Sequence, residues 1–185
     1  MTAALLTLFL LGFAYRFPPV ARLDERAFLA LHRPLSRPPW IAAFRALWHL
    51  GCTPAALLAL LLPAPFAGGD YLRWGKLGLA LGLAALVERL VKQTLGRPRP
   101  FAALQGVSMQ QPREPHDPSF PSGDALRVWF LALAYTRFFP ATAPLWYGLA
   151  ALVSLGRIAL GVHHPLDVLA GASLGALSAF LALSL

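Results

Sequence analysis

The stretch from Arg157 to Asp167 places a cation, two imidazoles and a carboxylate between two apolar segments. Ionisable groups are costly in such a setting, so they are functional candidates. His163 and Asp167 are four residues apart and can share one face of a helix. A carboxylate on one ring nitrogen fixes the tautomer and leaves the other nitrogen free to attack, so His163 is a candidate covalent nucleophile. His164 precedes Pro165, which favours an extended backbone, and we assign it a secondary place.

A second polar cluster runs from Lys92 to Pro100. Within it, Arg97 and Arg99 alternate with prolines and so carry two guanidinium groups on a stiff, extended backbone. Arginine binds phosphate oxygens through paired donors, which favours a phosphate site. The alternative is that these cations extend to lipid headgroups at a membrane surface.

A third polar cluster surrounds Ser122, which follows Pro121 and precedes an apolar run. Serine is a preferred helix N-cap, and the free backbone N–H groups of Gly123 and Asp124 at a helix start would bind an anion. Gly123 would also let an anion approach the backbone closely. Taken alone, Ser122 is equally typical of a simple N-cap. Taken together, the three clusters predict a phosphate pocket with a histidine nucleophile.

A metal site is the competing interpretation of the same residues. Its ligands would be His163, His164, Asp167 and His116. The many nearby cations would repel a divalent ion, which argues against a metal site.

The composition indicates the setting of these clusters. The 185-residue chain is 57% hydrophobic and only 13% charged, about half the charged share of a soluble domain. Its apolar blocks have the length that spans a bilayer as a helix. The basic residues are scattered, which excludes a nucleic-acid partner and leaves lipids as partners. The chain is therefore expected to be one membrane-embedded domain, residues 1–185, with its functional core at about 72–185.

The predicted architecture is an all-α bundle of six membrane-spanning helices. The spans are expected at about residues 2–15, 41–62, 72–95, 122–139, 144–160 and 165–185. We expect the first to be retained, because it lacks the basic start and small-x-small cleavage site of a signal peptide. Residues 18–40 alternate charged and apolar side chains and are typical of an amphipathic interfacial segment. Pro63, Pro65 and the glycines that follow predict a turn before the third span.

This topology brings the polar clusters together. The end of the third span, the start of the fourth, the end of the fifth and the start of the sixth all face one side of the membrane. These four ends carry the three clusters, so residues distant in sequence should converge on one pocket.

The residues of the three polar clusters resemble the motifs of the type 2 phosphatidic acid phosphatase family, which shares a histidine-phosphatase pocket with the vanadium haloperoxidases. The family's first motif is Lys, six residues, Arg-Pro, and it is matched by Lys92, Arg99 and Pro100. Its second is Pro-Ser-Gly-His; residues 121–123 match it, but Asp124 stands in place of the histidine.

The third motif of that family is Ser-Arg, five residues, His, three residues, Asp. It is matched by Arg157, His163 and Asp167, with Gly156 in place of the serine. The three motifs occur in order between the expected spans. The resemblance covers roughly residues 92–171.

The resemblance implies a role for each matched residue. His163 would attack phosphorus and form a phosphohistidine, and Asp167 would orient it. The phosphoryl oxygens would be held by Lys92, Arg99, Ser122, the Gly123 amide and Arg157. The family's second-motif histidine protonates the leaving oxygen, and Asp124 is a poor replacement because a carboxylate among cations stays ionised. Asp124 could instead pair with an arginine, or water could protonate the leaving group.

The resemblance thus implies a membrane enzyme that removes phosphate from a lipid phosphate or diphosphate, without a metal or an organic cofactor. A missing acid matters least for a weakly basic leaving group, so we expect a polyprenyl diphosphate to be preferred. Two alternatives remain, a pseudo-enzyme that binds headgroups and a lipid phosphotransferase. The distribution of basic residues points the site to the cytoplasm, whereas bacterial relatives imply an outward-facing site in the inner membrane.

Overall fold

The computed structural model describes residues 1–62 and 71–184. Every regular element in these two ranges is helical, which confirms the all-α prediction. The helices are α1 (Thr2–Leu11), α2 (Pro18–Leu35), α3 (Trp40–Gly51), α4 (Thr53–Leu61), α5 (Tyr71–Leu95), α6 (Pro100–Ala103), α7 (Gly123–Phe138), α8 (Ala143–Ala159) and α9 (Pro165–Ser184). The turn predicted at Pro63 and Pro65 lies outside the described residues.

The first predicted span is α1 followed by a 3₁₀ turn over Gly12–Arg16. Gly12 packs closely on α9, since a Cβ there would lie 2.6 Å from the Ala170 Cβ. At Phe17 the backbone becomes extended, and the chain bends by 101° into α2, which starts with two prolines. Proline suits the first turn of a helix because its missing N–H has no partner to lose there.

The second predicted span is not one straight helix. It divides into α3 and α4, which meet at Cys52 with a bend of 58°. Pro54 gives the physical reason, because it has no N–H to donate to the carbonyl four residues earlier and its ring clashes with that carbonyl. The predicted span over 41–62 therefore corresponds to a bent pair of helices, α3 with α4.

Helices α7 and α9 form the centre of the bundle, and α5, α8 and α1 pack around this pair. Their backbones approach at Gly171, which contacts the Ser122 carbonyl, and at Gly175, which contacts the Leu126 carbonyl. Any side chain at these glycines would collide with α7. The close approach fixes the start of α9 against the start of α7, where two of the polar clusters lie.

The long connection between α5 and α7 is irregular apart from α6. It is held in place by hydrogen bonds within itself and to the helices α3 and α8. The Gln110 amide donates to the Leu160 carbonyl at 2.9 Å, and the Ser119 amide donates to the Arg97 carbonyl at 2.8 Å. Arg45 Nε donates to the Gln110 carbonyl at 2.8 Å. The connection therefore covers one end of the bundle, and we refer to it as the roof.

By length and apolar composition, α9 could cross a membrane on its own. Two bent pairs also qualify if each pair counts as one crossing. They are residues 2–16 with α2 and α3 with α4.

Candidate active site

The predicted convergence is observed, because residues from all three clusters line one cavity of about 630 Å³ under the roof. The predicted site residues on its wall are Lys92, Arg99, Gly123, Asp124, Arg157 and His163. Ser122 and Asp167 are fully buried and lie behind that wall.

His163 lies in the tight turn between α8 and α9 and is 2% exposed. The turn needs a glycine at 161, where φ is +78° and a Cβ would lie 2.8 Å from the Ser108 carbonyl. His163 Nε2 is 3.1 Å from Arg99 Nη1. Burial, followed by the positive charge of Arg99, lowers the pKa of His163 to about 3. The imidazole is therefore neutral at physiological pH.

The expected partnership between His163 and Asp167 involves a third residue. His163 Nδ1 is 3.7 Å from Asp167 Oδ2, which is too long for a direct hydrogen bond. Ser119 Oγ donates to Asp167 Oδ2 at 2.5 Å and lies 3.4 Å from His163 Nδ1. The sequence analysis missed Ser119, although it lies next to the second motif.

The Asp167 carboxylate forms an ion pair with Arg97 in the protein interior. Arg97 Nη1 is 2.5 Å from Asp167 Oδ1, and its Nη2 is 2.6 Å from Asp24 Oδ2 on α2. The ring of Tyr15 lies 4.1 Å from the guanidinium carbon. The suggestion that Arg97 binds phosphate together with Arg99 was therefore wrong, because both ends of its guanidinium face carboxylates in the protein interior.

Arg99 does face the cavity, beside the proposed nucleophile. Its Nη1 donates to the Val162 carbonyl at 2.9 Å, and its Nη2 donates to Asp117 Oδ1 at 2.9 Å. The Asp117 carboxylate also pairs with Lys92 Nζ, which is 2.7 Å from Glu88 Oε1. Burial alone would raise the pKa of Asp117, but Lys92 and Arg99 outweigh it and lower the pKa to about 2.

Arg157 and Asp124 also line the cavity and form an ion pair there, with Nη1 and Oδ2 2.8 Å apart. Arg127 Nη2 contacts the other oxygen of Asp124 at 2.5 Å. Arg157 Nη2 donates to Gln111 Oε1 at 2.8 Å, while its buried Nε has no partner among the described residues. The alternative that Asp124 pairs with an arginine is confirmed, and Arg157 retains a donor that could bind an anion.

Ser122 is the N-cap of α7, as predicted. Its Oγ accepts a hydrogen bond from the Ala125 amide at 3.4 Å, and its own amide donates to the Asp167 carbonyl at 2.9 Å. Gly123 opens α7, and a Cβ there would lie 2.5 Å from Glu88 Oε1. The close approach expected at Gly123 is thus seen with a carboxylate of the protein itself.

His164 and His116 occupy different surroundings. His164 is buried, and its amide donates to Asp167 Oδ2 at 2.8 Å. His116 is exposed on the cavity wall. Within residues 1–62 and 71–184, no three histidine, cysteine or acidic side chains converge closely enough to hold a metal ion.

This bundle, with a histidine and several cations facing one cavity, matches a known family. The family model of the PAP2 superfamily matches residues 73–185, which is more than half of the chain. The chain therefore belongs to the PAP2 superfamily.

Two relatives of this chain are named for polyprenyl lipids. An undecaprenyl-diphosphatase from Sulfolobus acidocaldarius is 34% identical over 122 residues, which cover 61% of this chain and 57% of that protein. A decaprenylphosphoryl-5-phosphoribose phosphatase from Mycobacterium tuberculosis is 36% identical over 148 residues, covering 77% and 78% of the two chains. The chain spans only about half the length of the first relatives that it matches.

The fold is similar to that of a solved membrane enzyme. The transmembrane PAP2-type phosphatidylglycerolphosphate phosphatase from Bacillus subtilis superposes with a TM-score of 0.80 at 25% identity, covering 99% of this chain and 94% of that one. The likeness extends over α1 to α9. This chain is a membrane protein.

Proposed function

We propose that this chain is a membrane lipid phosphatase that transfers a phosphoryl group from a lipid phosphate or diphosphate to His163 and then to water. In this proposal residues 1–185 act as a single membrane-embedded phosphatase domain, whose motif-bearing core is about 72–185. The observation that carries the proposal is the surroundings of His163. A neutral, buried imidazole has Arg99 on its cavity side and Asp167 behind it.

The geometry favours Nε2 as the attacking atom. Nδ1 faces Ser119 and Asp167, so this nitrogen is the one that carries the proton. The lone pair of Nε2 then faces the side of the cavity, where it accepts from Arg99 Nη1 at 3.1 Å until a phosphoryl group displaces that contact. Attack on phosphorus forms the Nε2–P bond and breaks the bond from phosphorus to the leaving oxygen. Water then attacks the phosphohistidine, releases phosphate and restores the imidazole.

The cations of the cavity wall would hold the charge that develops on the phosphoryl oxygens. Arg157 offers its unpartnered Nε, and the Gly123 amide lies at the N-terminus of α7, where an anion is favoured. Lys92 and Arg99 flank the opposite side. Ser122, behind the wall, would act by capping α7 and so fixing the Gly123 amide.

The leaving group needs a proton unless it is weakly basic. Asp124 is unsuited to give one, because both of its oxygens are paired with guanidinium groups. A phosphate leaving from a diphosphate needs less help than an alkoxide. We therefore favour a polyprenyl diphosphate as the substrate, and the name of the Sulfolobus acidocaldarius relative agrees with this class.

In the membrane, we propose six crossings formed by α1, α3 with α4, α5, α7, α8 and α9. Helix α2 would lie at the interface, since it turns by 101° from the preceding helix. The cavity then opens on one side of the bundle. We place it on the outer face of a bacterial inner membrane, by resemblance to the bacterial family.

The test is phosphate release from purified full-length chain in detergent, on undecaprenyl diphosphate, undecaprenyl phosphate and phosphatidic acid. We expect turnover of the diphosphate, and we expect it to survive EDTA because cationic side chains supply the phosphate-binding charge. Loss of activity on chelation, restored by magnesium or zinc, would revive the metal interpretation. A labelled phosphohistidine should be trapped by acid-free quenching.

A pseudo-enzyme is the second candidate, and the substitution at Asp124 favours it. Such a protein would bind phosphate without turnover and without forming phosphohistidine. A phosphotransferase would form phosphohistidine but release no phosphate until an acceptor lipid is added.

A further inference from the structure

The carboxylate of Asp117 bridges the two cations of the first motif. One oxygen pairs with Lys92 Nζ, and the other accepts a hydrogen bond from Arg99 Nη2 at 2.9 Å. Both cations also line the cavity. A single anionic group of the protein therefore engages an ammonium and a guanidinium that the proposed function assigns to the substrate.

The remaining donors of Arg99 are held by backbone or by the nucleophile. Nε donates to the Asp117 carbonyl at 2.9 Å, and Nη1 donates to the Val162 carbonyl and faces His163 Nε2. A guanidinium has five N–H groups, and these contacts use the three on Nε and Nη1. Nη2 carries the other two. One N–H of Nη2 also donates to the Pro118 carbonyl at 3.4 Å. Withdrawal of the Asp117 side chain frees the other N–H for a ligand without a movement of the backbone.

Asp117 differs from the other carboxylates around the site in its exposure. Its side chain is 51% exposed, whereas Glu88, Asp124 and Asp167 are 12% exposed or less. The chain at Asp117 is fixed through its own carbonyl and through the adjacent Ser119 amide. The carboxylate can thus rotate into solvent while the loop stays in place.

We propose that Asp117 is a specificity residue that competes with the substrate for Lys92 and Arg99. This inference rests on the proposed function and deepens it by naming the substrate class. A phosphomonoester or terminal phosphate carries a charge of about −1.5 to −2 at neutral pH and displaces a carboxylate of charge −1. A phosphodiester headgroup carries only one charge and does not.

The lipids around the protein are the reason that this competition matters. Anionic phosphodiester lipids surround the protein and are attracted to basic groups at the membrane surface. An open pair of cations would hold these lipids and block the site. Asp117 competes with every anion for Lys92 and Arg99. It therefore excludes the singly charged phosphodiesters more than it assists the binding of phosphomonoesters.

The experiment is a calorimetric titration of the full chain in detergent with inorganic phosphate. Asp117→Asn should bind phosphate about tenfold more tightly, since the ligand no longer displaces a charge-assisted pair. Glu114→Gln is the matched control. It removes the same charge from the same loop, and Glu114 forms no ion pair with the described residues. We expect the control to bind phosphate with an affinity within about twofold of wild type.

A second measurement tests the class of ligand. Phosphatidylglycerol, a monoanionic diester, should inhibit lipid-phosphate turnover by Asp117→Asn at concentrations that leave wild type unaffected. Equal or weaker phosphate binding by Asp117→Asn, with an unchanged thermal midpoint, overturns the inference. Asp117→Ser repeats the test if Asp117→Asn does not fold.

The titration needs no turnover, which separates this inference from the proposed function. A wild type that binds phosphate but hydrolyses no lipid phosphate overturns the proposed function alone. Unchanged binding by Asp117→Asn in an active enzyme overturns the competition alone.

Discussion

Two arginine–carboxylate networks lie on opposite sides of His163 and differ in what they leave open. The rear network joins Asp24, Arg97 and Asp167, and all three side chains are at most 6% exposed. The front network joins Arg157, Asp124 and Arg127 on the cavity wall. The rear guanidinium is paired at both ends, whereas in front the Arg157 Nε has no partner among the described residues.

The same pairing of arginine with carboxylate thus serves two purposes, one in the protein interior and one at the cavity. A buried ion pair contributes little net stability, but loss of one partner leaves an uncompensated charge and is strongly destabilising. Such a network suits the fixed orientation of Asp167 behind His163. A network with an open donor at a cavity suits binding. This division of the surroundings of His163 into an orienting side and a binding side can be tested.

The largest effect on turnover is expected at His163, which lies between the two networks. His163→Ala should reduce turnover by about 10⁴-fold, as removal of a nucleophile does. His164→Ala should reduce it by less than about tenfold, because its ring contacts Asp167 from the rear and does not line the cavity. Phosphate release in detergent measures both. Equal losses would remove His163 from the role of nucleophile.

The next prediction separates the two networks directly. Arg97→Gln should lower the free energy of unfolding by about 3–5 kcal/mol, because Asp24 and Asp167 would both lose their cation. Arg157→Lys keeps the charge but loses the planar pair of donors, so turnover should fall about 10²-fold with little change in stability.

Thermal unfolding and turnover, measured on both variants, give the test. If Arg97→Gln is stable but inactive, the rear network binds or transfers protons and does not merely orient. Wild-type turnover by Arg157→Lys would exclude Arg157 from the binding side.

A pH prediction follows from the low pKa of His163. The folded protein keeps this imidazole neutral down to about pH 3, whereas in the unfolded chain it gains a proton below about pH 6.5. The unfolded state thus binds more protons between these values, and stability falls as pH falls through 6.5. Between pH 7 and pH 5 the loss should be about 2 kcal/mol.

Unfolding of His163→Gln at the same two pH values isolates this contribution, since glutamine does not titrate. The variant should lose about 2 kcal/mol less than wild type over that interval. Equal losses would mean that His163 is already protonated at pH 5, so that the rear carboxylate outweighs the front cations.

The front network was more accessible to sequence analysis than the rear one. The spacing of His163 from Arg157 and the motif at Lys92 were visible because each cluster is local and flanks an apolar block. The fold then brings those clusters together as the topology predicts. The missing histidine at Asp124 also pointed to an arginine partner before any geometry was known.

Asp167 was predicted, but its link through Arg97 to Asp24 could not be, because these partners are distant in sequence. Asp24 lies 73 residues from Arg97 and belongs to a helix predicted only as interfacial. Ser119 and Asp117 reach the site through the path of an irregular loop, which periodicity does not describe. The break at Cys52 is different, since Pro54 inside an apolar block was a visible signal that the second span would bend.

The smallest expected effect concerns Asp124, where the front network stands in place of a proton donor. Asp124→His would supply an imidazole that can protonate an alkoxide. The same change also removes the carboxylate that pairs with Arg157 and Arg127. Asp124→Asn is therefore the matched control, because it removes the charge without adding a proton donor.

The three proteins should be compared on undecaprenyl diphosphate and on phosphatidic acid. Relative to Asp124→Asn, the histidine variant should turn over phosphatidic acid roughly tenfold faster and the diphosphate only slightly faster. General acid catalysis assists the more basic leaving group most, so the ratio of the two rates is the diagnostic quantity. If wild type prefers phosphatidic acid, or if the histidine variant is slower than the asparagine variant on both lipids, the proton comes from elsewhere on the cavity wall. In that case the front network takes part in proton transfer as well as in binding, and the division between the two sides of His163 no longer holds.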